Sequence, residues 1–412
     1  MKPSFVVIGA NVAGATVADE LRDLGFDGDI GLVGAEPHLP YQRPPLSKGV
    51  LSGADAPETT VFRDAAHYAE RDIDLHLGSR VARLLPAERA VELEDGTRLR
   101  ADKVVLCTGG RARRLGVPGA ELDGVVTLRT LDDAVDLGDR LAGAASVVVI
   151  GAGFIGAEVA AVARGLGRPV TMIEVAEVPL ARVLGPLGAV YAEIHRDHGV
   201  DVRLGTAVTA VLGGDRVEGV RTSAGDVVEA DLVVVGVGME PAVELAADAG
   251  IATGDGVLVD EWCRTSIPEV LAAGDVANRP SALLGQRCRL EQFQNAQQQA
   301  AAAARSMVGP GEPFDEVPWF WSDQYDVNLQ MAGHPRQTDD LVWRGDPAGR
   351  SFAAFYCRDG VLTGVVGLNR PREVRGAMPL IGRRARVEPA LLQDESVDLR
   401  KVAKALAAGA AT

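Results

Sequence analysis

Aliphatic and β-branched residues along this chain gather in short runs that stop at glycines, and alanine-rich segments follow several of them. FVVI at residues 5–8 leads into GANVAG at 9–14 and then ATVADEL, while VVVI at 147–150 leads into GAGFIG at 151–156 and then AEVAAVA. A short continuous apolar run bounded by glycine predicts a buried strand, and the alanine-rich segment after it predicts a helix. ADLVVVGVGM at 230–239, VVLCTGG at 104–110 and VLAAGDV at 270–276 predict further buried strands, the last carrying Asp275 at its carboxyl end. Strand, glycine turn, helix and strand in succession, met twice, predict an α/β protein built on two Rossmann-like domains. No apolar run approaches the roughly 18–20 residues that a bilayer span needs, which predicts no membrane-crossing helix.

Each repeat also carries an acid at a telling distance. Glu36 follows the strand IGLVG and lies 22 residues after Gly14, and Glu174 ends VTMIE, 18 residues after Gly156. An interval of about 20 residues brings a carboxylate to the ribose hydroxyls of a dinucleotide whose pyrophosphate rests on the glycine turn. The turn lets backbone approach the phosphates, and the helix N-terminus offers free N–H groups and a positive dipole end. A 2′-phosphate beside Glu174 is repelled, and Val175 and Ala176 supply no cation to offset it, so the second site is expected to prefer NADH to NADPH. The first copy departs from the pattern at Asn11, where the second glycine is usual. Asparagine tolerates positive φ better than most residues and brings an amide donor. It is expected to be accommodated there and to reach a phosphate oxygen.

Charge narrows the partners. The net charge of −15 argues against nucleic acid, which needs a basic footprint. One stretch runs against that trend: RPREVRGAMPLIGRRAR at 370–386 holds Arg370, Arg372, Arg375, Arg383, Arg384 and Arg386 against Glu373 alone. It reads either as a solvated face or as a docking patch for an acidic protein. The N-terminus opens almost at once on a strand, without the charged and apolar regions of a signal peptide, so a cytoplasmic protein is expected. Cys107, Cys263, Cys288 and Cys357 lie far apart and are expected to be buried free thiols. His195 and His198 share a helical face but have no third ligand near in sequence, so a solvated face is expected rather than a metal site.

PYQRPPLSK (40–48), CTGGRARRL (107–115), LRTLDDA (128–134), GAGFIGAEVA (151–160), TSIPEVLAAGDVA (265–277), RLEQFQNAQQQ (289–299), PWFWSDQYD (318–326) and GLNRPREV (367–374) occur in this order. Together they resemble, nearly end to end, the FAD-dependent NADH:ferredoxin reductase family of putidaredoxin and rhodocoxin reductases. Its members belong to the glutathione-reductase-like flavoproteins and feed bacterial cytochrome monooxygenases and ring-hydroxylating dioxygenases. The resemblance implies a discontinuous FAD domain at 1–112 and 241–316, an NAD domain at 113–240, and a C-terminal α+β domain at 317–412. It implies FAD contacts from Gly9, Asn11, Ala13, Gly14, Glu36, Arg43, Lys48, Val81, Thr108, Gly109, Arg129, Gly274, Asp275, Glu291 and Phe293, with Asp275 on the ribityl chain. NADH contacts would come from Gly151, Gly153, Ile155, Gly156, Glu174, Gly236 and Gly238.

The chemistry implied is hydride transfer from NADH to FAD, then single electrons to a [2Fe-2S] ferredoxin. In that resemblance Lys48 sits beside the flavin N5 and pairs with Glu158, and Trp321 lies near the ring; a surface lysine with a dipole-stabilising acid is the plainer alternative. In the run Trp319, Phe320 and Trp321, core packing accounts for at least one ring. Disulfide reductases need a redox cysteine pair beside the flavin, and residues 36–50 contain no cysteine. A redox-sensing flavoprotein of the apoptosis-inducing type stays open, distinguished by slow reduction by NADH.

Overall fold

The computed structural model describes residues 2–408. Residue 1 and residues 409–412, at the ends of the first and third expected domains, lie outside the described ones. Both quoted repeats fold as strand, turn and helix: Ser4–Ile8 with Val12–Asp23, and Val147–Ile150 with Phe154–Gly165. Every residue of these two strands is buried, as expected for the centre of a parallel sheet covered on both faces.

The two sheets share one parallel arrangement but differ in when the outer strand is added. In the first, strands run in the order Val270–Ala272, Lys103–Leu106, Ser4–Ile8, Asp29–Val33, Ile73–His76, all parallel. In the second, the order is Val125–Thr127, Leu232–Val235, Val147–Ile150, Val170–Ile173, Asp201–Arg203, again all parallel. In the first, the chain winds outward from Ser4–Ile8, forms a three-stranded antiparallel meander, returns on the opposite side and adds Val270–Ala272 last; in the second, the edge strand Val125–Thr127 comes first and the same path then starts from Val147–Ile150. The crevice at the carboxyl end of the central strand, Ser4–Ile8 or Val147–Ile150, is therefore a topological switch point, the place where open α/β sheets bind ligands.

The chain leaves the first sheet through Gly110–Ala112 and comes back through Met239–Pro241. These segments pair antiparallel, with Gly110 opposite Pro241, so the two crossings form one ribbon. The third unit is an antiparallel sheet in the order Trp319–Gln324, Val327–Gly333, Val361–Leu368, Ser351–Arg358, Asp340–Asp346. Helices Pro371–Gly382, Pro389–Gln393 and Leu399–Ala407 complete an α+β domain.

That last sheet is buried on both faces. One face packs Phe355, Val365 and Leu362 against Val374, Leu380 and Leu399 of its own helices. The other packs Leu329, Phe352 and Leu368 against Leu180, Tyr191 and Ile194 of the second dinucleotide-type unit. Each large side chain so buried contributes about 1.5–3 kcal/mol. A shared apolar core, rather than surface ion pairs, thus fixes the third domain against the second and sets Trp319–Gln324 over the crevices. Among the described residues no helix is long and apolar enough to cross a membrane.

Candidate functional site

The glycines of each turn have separate physical reasons. Gly9 and Gly151 take φ of 118° and 98°, and a Cβ on them would fall 2.1 Å from the Cys107 oxygen and 2.5 Å from the Gly236 oxygen. A Cβ on Gly14 or Gly156 would lie 2.0 Å from the carbonyl oxygen of Gly9 or Gly151. These four are demanded by strand–helix packing within the chain itself. Gly153 differs: φ is −74°, and the nearest atom to its Cβ position is the Gly236 oxygen at 3.8 Å. The protein leaves open space there, on the wall of a cavity, and no side chain caps the helix that follows. An uncapped helix N-terminus beside a turn with room for a ligand fits a pyrophosphate.

Asn11 stands at the corresponding place in the first repeat and behaves otherwise than its donor chemistry suggested. Its φ is −132°, ordinary extended backbone. Oδ1 accepts the N–H groups of Ala13 and Gly14 at 3.0 and 3.2 Å, and Nδ2 donates to the Cys107 oxygen at 2.6 Å. The tolerance of Asn11 for positive φ is therefore not used: the side chain caps its own helix and, through one amide N–H, ties it to the neighbouring strand.

One cavity of about 830 Å³ joins the two turns. Its wall includes Asn11, Ala13, Arg43, Lys48, Gly109, Arg129, Asp275, Glu291 and Phe293 from the first group of expected contacts, and Gly151, Gly153, Ile155, Glu174, Gly236 and Gly238 from the second. Glu158 and Trp321 lie on it as well. The other expected residues stand behind the wall. Gly9, Gly14 and Gly156 serve the backbone contacts above. Val81 is buried in the core with Ile8 and Val33. The Thr108 hydroxyl donates to the Ala242 oxygen at 2.8 Å, and Gly274, at φ 78°, donates its N–H to Gln299. Glu36 pairs with Arg43 at 2.9 Å and takes the Tyr41 hydroxyl at 2.5 Å. Arg129 holds Asp275 at 2.9 Å, so a line of charge runs along the flank of the cavity.

At the second strand's end Glu174 is fixed by backbone: Oε2 accepts from Ala152 at 2.7 Å and Oε1 from Ala176 at 2.9 Å. Arg182, eight positions on, shares its wall. Inspection of Val175 and Ala176 alone did not reveal this cation, because the short helix Ala181–Leu184 folds it back toward the strand end.

Glu158 is the fifth residue of its helix, just past the first turn where the sequence suggested it, and is 4% exposed. Oε2 receives Lys48 Nζ at 2.7 Å and the Ser47 hydroxyl; Oε1 receives the Ser322 hydroxyl at 2.6 Å. A buried carboxylate is tolerable only when paired and hydrogen-bonded, and here three donors meet it. Sequence inspection anticipated the Lys48–Glu158 pair and missed both serines, which carry no motif of their own. Gln292 was also missed. It begins the long helix Phe293–Val308 without capping it, and its buried Oε1 has no partner among the described residues, a polar atom left for a ligand at the cavity wall.

Trp321 stacks on Trp319 at 5.2 Å and meets Phe293 edge-on at 6.2 Å. Trp319 packs on the C-terminal core and Phe320 on the shared core, so the run divides between packing and cavity wall. Cys107 is the only cysteine on that wall among the described residues, and burial pushes its thiol far up. Cys107, Cys263 and Cys357 are buried, while Cys288 is only half-buried, contrary to expectation; all four are free. The solvated face expected for His195 and His198 is also corrected. His195 is wholly buried with both ring nitrogens bonded, and His198 stacks on Tyr325 at 3.6 Å.

Of the arginine run, Arg370 is tied to Glu395 at 2.8 Å and to Ser351, so it serves the fold rather than a free charged patch. Arg372, Arg375, Arg383, Arg384 and Arg386 are exposed. Arg383 lines a groove with Gln294 and Gln298, on the helix whose first residue, Phe293, touches Trp321.

Two dinucleotide-type crevices opening into one cavity, under a third domain, define a two-nucleotide flavoprotein oxidoreductase. Residues 3–300 match the family described as pyridine nucleotide-disulphide oxidoreductase, and residues 319–403 match the reductase C-terminal family. A ferredoxin–NAD(P)+ reductase of a Sphingomonas species is 43% identical over 390 residues, 94% of each chain. The ferredoxin reductase component of a chlorobenzene dioxygenase from a Cupriavidus species is 41% identical over 98% of both chains. The covalent putidaredoxin reductase–putidaredoxin complex superposes with a TM-score of 0.94 at 37% identity, covering 100% of this chain and 99% of that one. The chain belongs to the pyridine nucleotide-disulphide oxidoreductase family, among its FAD- and NAD(P)H-using ferredoxin reductases.

Proposed function

We propose that this chain takes electron pairs from NADH and delivers them singly to a [2Fe-2S] ferredoxin that serves a cytochrome monooxygenase or ring-hydroxylating dioxygenase. The observation that carries this is the single cavity joining both glycine turns at the Lys48–Glu158 pair. FAD, when bound, converts a two-electron donor into two one-electron deliveries. In this reading residues 1–112 and 241–316 hold the flavin, 113–240 the nicotinamide nucleotide, and 317–412 cover the ring.

The chain's own residues orient and exclude. Asp275, held by Arg129, offers an acceptor at a strand end, and the Phe293–Val308 helix directs its N-terminal dipole at the wall beside it. Lys48 supplies a fixed cation where negative charge would accumulate, and Glu158 keeps that cation in place. Trp321 and Phe293 form an apolar edge that shields the cavity from water. Glu174 disfavours a 2′-phosphate, which favours NADH even with Arg182 on the same wall.

Arg383 shares a groove with Gln294, next in sequence to Phe293 of that aromatic edge, and with the other exposed arginines it supplies positive charge that, in a chain of net charge −15, suits steering of an acidic ferredoxin. Ferredoxin reduction driven by NADH, followed anaerobically with the purified chain, tests the proposal. Rapid flavin bleaching with electron delivery to a [2Fe-2S] protein supports it; slow bleaching with none favours a redox-sensing role.

A further inference from the structure

Behind Glu158 a line of hydrogen bonds runs away from the cavity through two domains. Ser322 Oγ, 2.6 Å from Glu158 Oε1, lies 3.2 Å from Gln324 Nε2. Gln324 Oε1 lies 3.0 Å from His195 Nε2, and His195 Nδ1 lies 3.1 Å from the Tyr325 hydroxyl. Ser322, Gln324 and His195 are 0%, 1% and 0% exposed, so water does not complete their bonding.

Donor arithmetic leaves one arrangement for an ionised Glu158. A serine hydroxyl has one proton, and it goes to the carboxylate; Ser322 must therefore accept from Gln324, whose amide nitrogen can only donate. Gln324 Oε1 can only accept, so the proton of His195 sits on Nε2 and Nδ1 accepts from Tyr325. Burial holds the imidazole neutral, with its pKa pushed down to about 4. Every donor in the line then points toward Glu158: it starts at Tyr325 of the third domain, passes through His195 on the helix Gly188–Asp197 of the second, returns to the strand Trp319–Gln324 and ends on the helix Phe154–Gly165.

We propose that Ser322, Gln324 and His195 are positioning residues that lock the Glu158 carboxylate so that Oε2 faces Lys48, making the geometry of that pair depend on how the third domain is seated on the second. The inference rests on the reading that the Lys48–Glu158 pair adjoins the flavin. None of the three reaches the cavity wall, so each acts only through Glu158.

The test uses FAD-loaded full-length protein with three variants. Ser322→Ala deletes one hydroxyl, His195→Phe removes the ring's bonding, and His195→Gln keeps an amide donor near the position of Nε2. Stopped-flow reduction by NADH gives the limiting rate and the apparent Kd, and spectroelectrochemistry gives the flavin midpoint potential. Ser322→Ala is expected to lower the limiting rate about tenfold, the loss when a buried charge gives up one hydrogen bond; His195→Phe, which acts on that charge only through Gln324 and Ser322, is expected to lower it less, and both are expected to shift the potential. The Kd for NADH should stay within about twofold, and His195→Gln should stay near wild type. An unchanged rate and potential in folded Ser322→Ala overturns the inference, as does equal loss in His195→Gln and His195→Phe. If His195→Phe does not fold, Ser322→Ala decides alone. A wild-type flavin that NADH does not bleach would instead strike the functional proposal itself.

Discussion

Glu158 sits where an unpaired acid would be expensive, and three donors from two other parts of the chain offset that cost. His195 shows the opposite solution: burial keeps it neutral, with its pKa lowered from the ordinary 6.5 to about 4. Between those values the unfolded chain binds the proton that the folded chain refuses, so stability falls as pH drops through this window, by up to about 3 kcal/mol. Thermal unfolding from pH 7 to 4.5 should show that slope, and His195→Gln should flatten it; identical slopes would contradict the account. At the nucleotide end, Glu174→Gln removes the charge and keeps the shape, with one acceptor in place of two for the Ala152 and Ala176 N–H groups. The preference for NADH over NADPH in kcat/KM is expected to drop at least about tenfold, since one unscreened charge contact is worth roughly that much. Arg182→Ala should move the preference the other way, and a null result in both would place the discriminating contact elsewhere.

The first helix is held by a side chain where its counterpart has none. Asn11→Ala should cost about 1 kcal/mol through loss of the cap, read as a lower Tm, and leave FAD affinity unchanged because the amide faces Cys107. Loss of FAD at unchanged Tm would show the amide on a phosphate instead. Both strand–glycine–helix units and their spaced acids were legible because glycine turns and buried strands leave a local pattern. Most antiparallel strands of the third domain were not, although their register puts Ser322 and Gln324 in the line behind Glu158. The burial of His195 was illegible for a related reason: its helix looks half-polar alone, and the sheet that covers it lies 130 residues further on, at Tyr325.

At the scale of the whole molecule, two parallel sheets of like arrangement, a two-stranded ribbon between them, and a third domain sharing a core with the second converge on one cavity. The Lys48–Glu158 pair was legible only through family resemblance, since the two residues stand 110 positions apart in sequence. The contribution of Arg182 and the serines depends on close packing that no spacing rule reports. The exposed arginines act at this scale too. Reversing charge at Arg383 and Arg384 should weaken ferredoxin reduction, more at low salt, while NADH oxidation by an artificial acceptor is unchanged; equal loss of both activities would remove the docking role. The central claim is that the two crevices hold FAD and NADH within reach of one another. An anaerobic absorbance titration of the purified protein with NADH, repeated with NADPH, tests it most directly. Bleaching of a bound flavin by one equivalent of NADH, and poorly by NADPH, is the predicted result; a protein that stays colourless after FAD is added, or a flavin that NADH leaves oxidised, would contradict it.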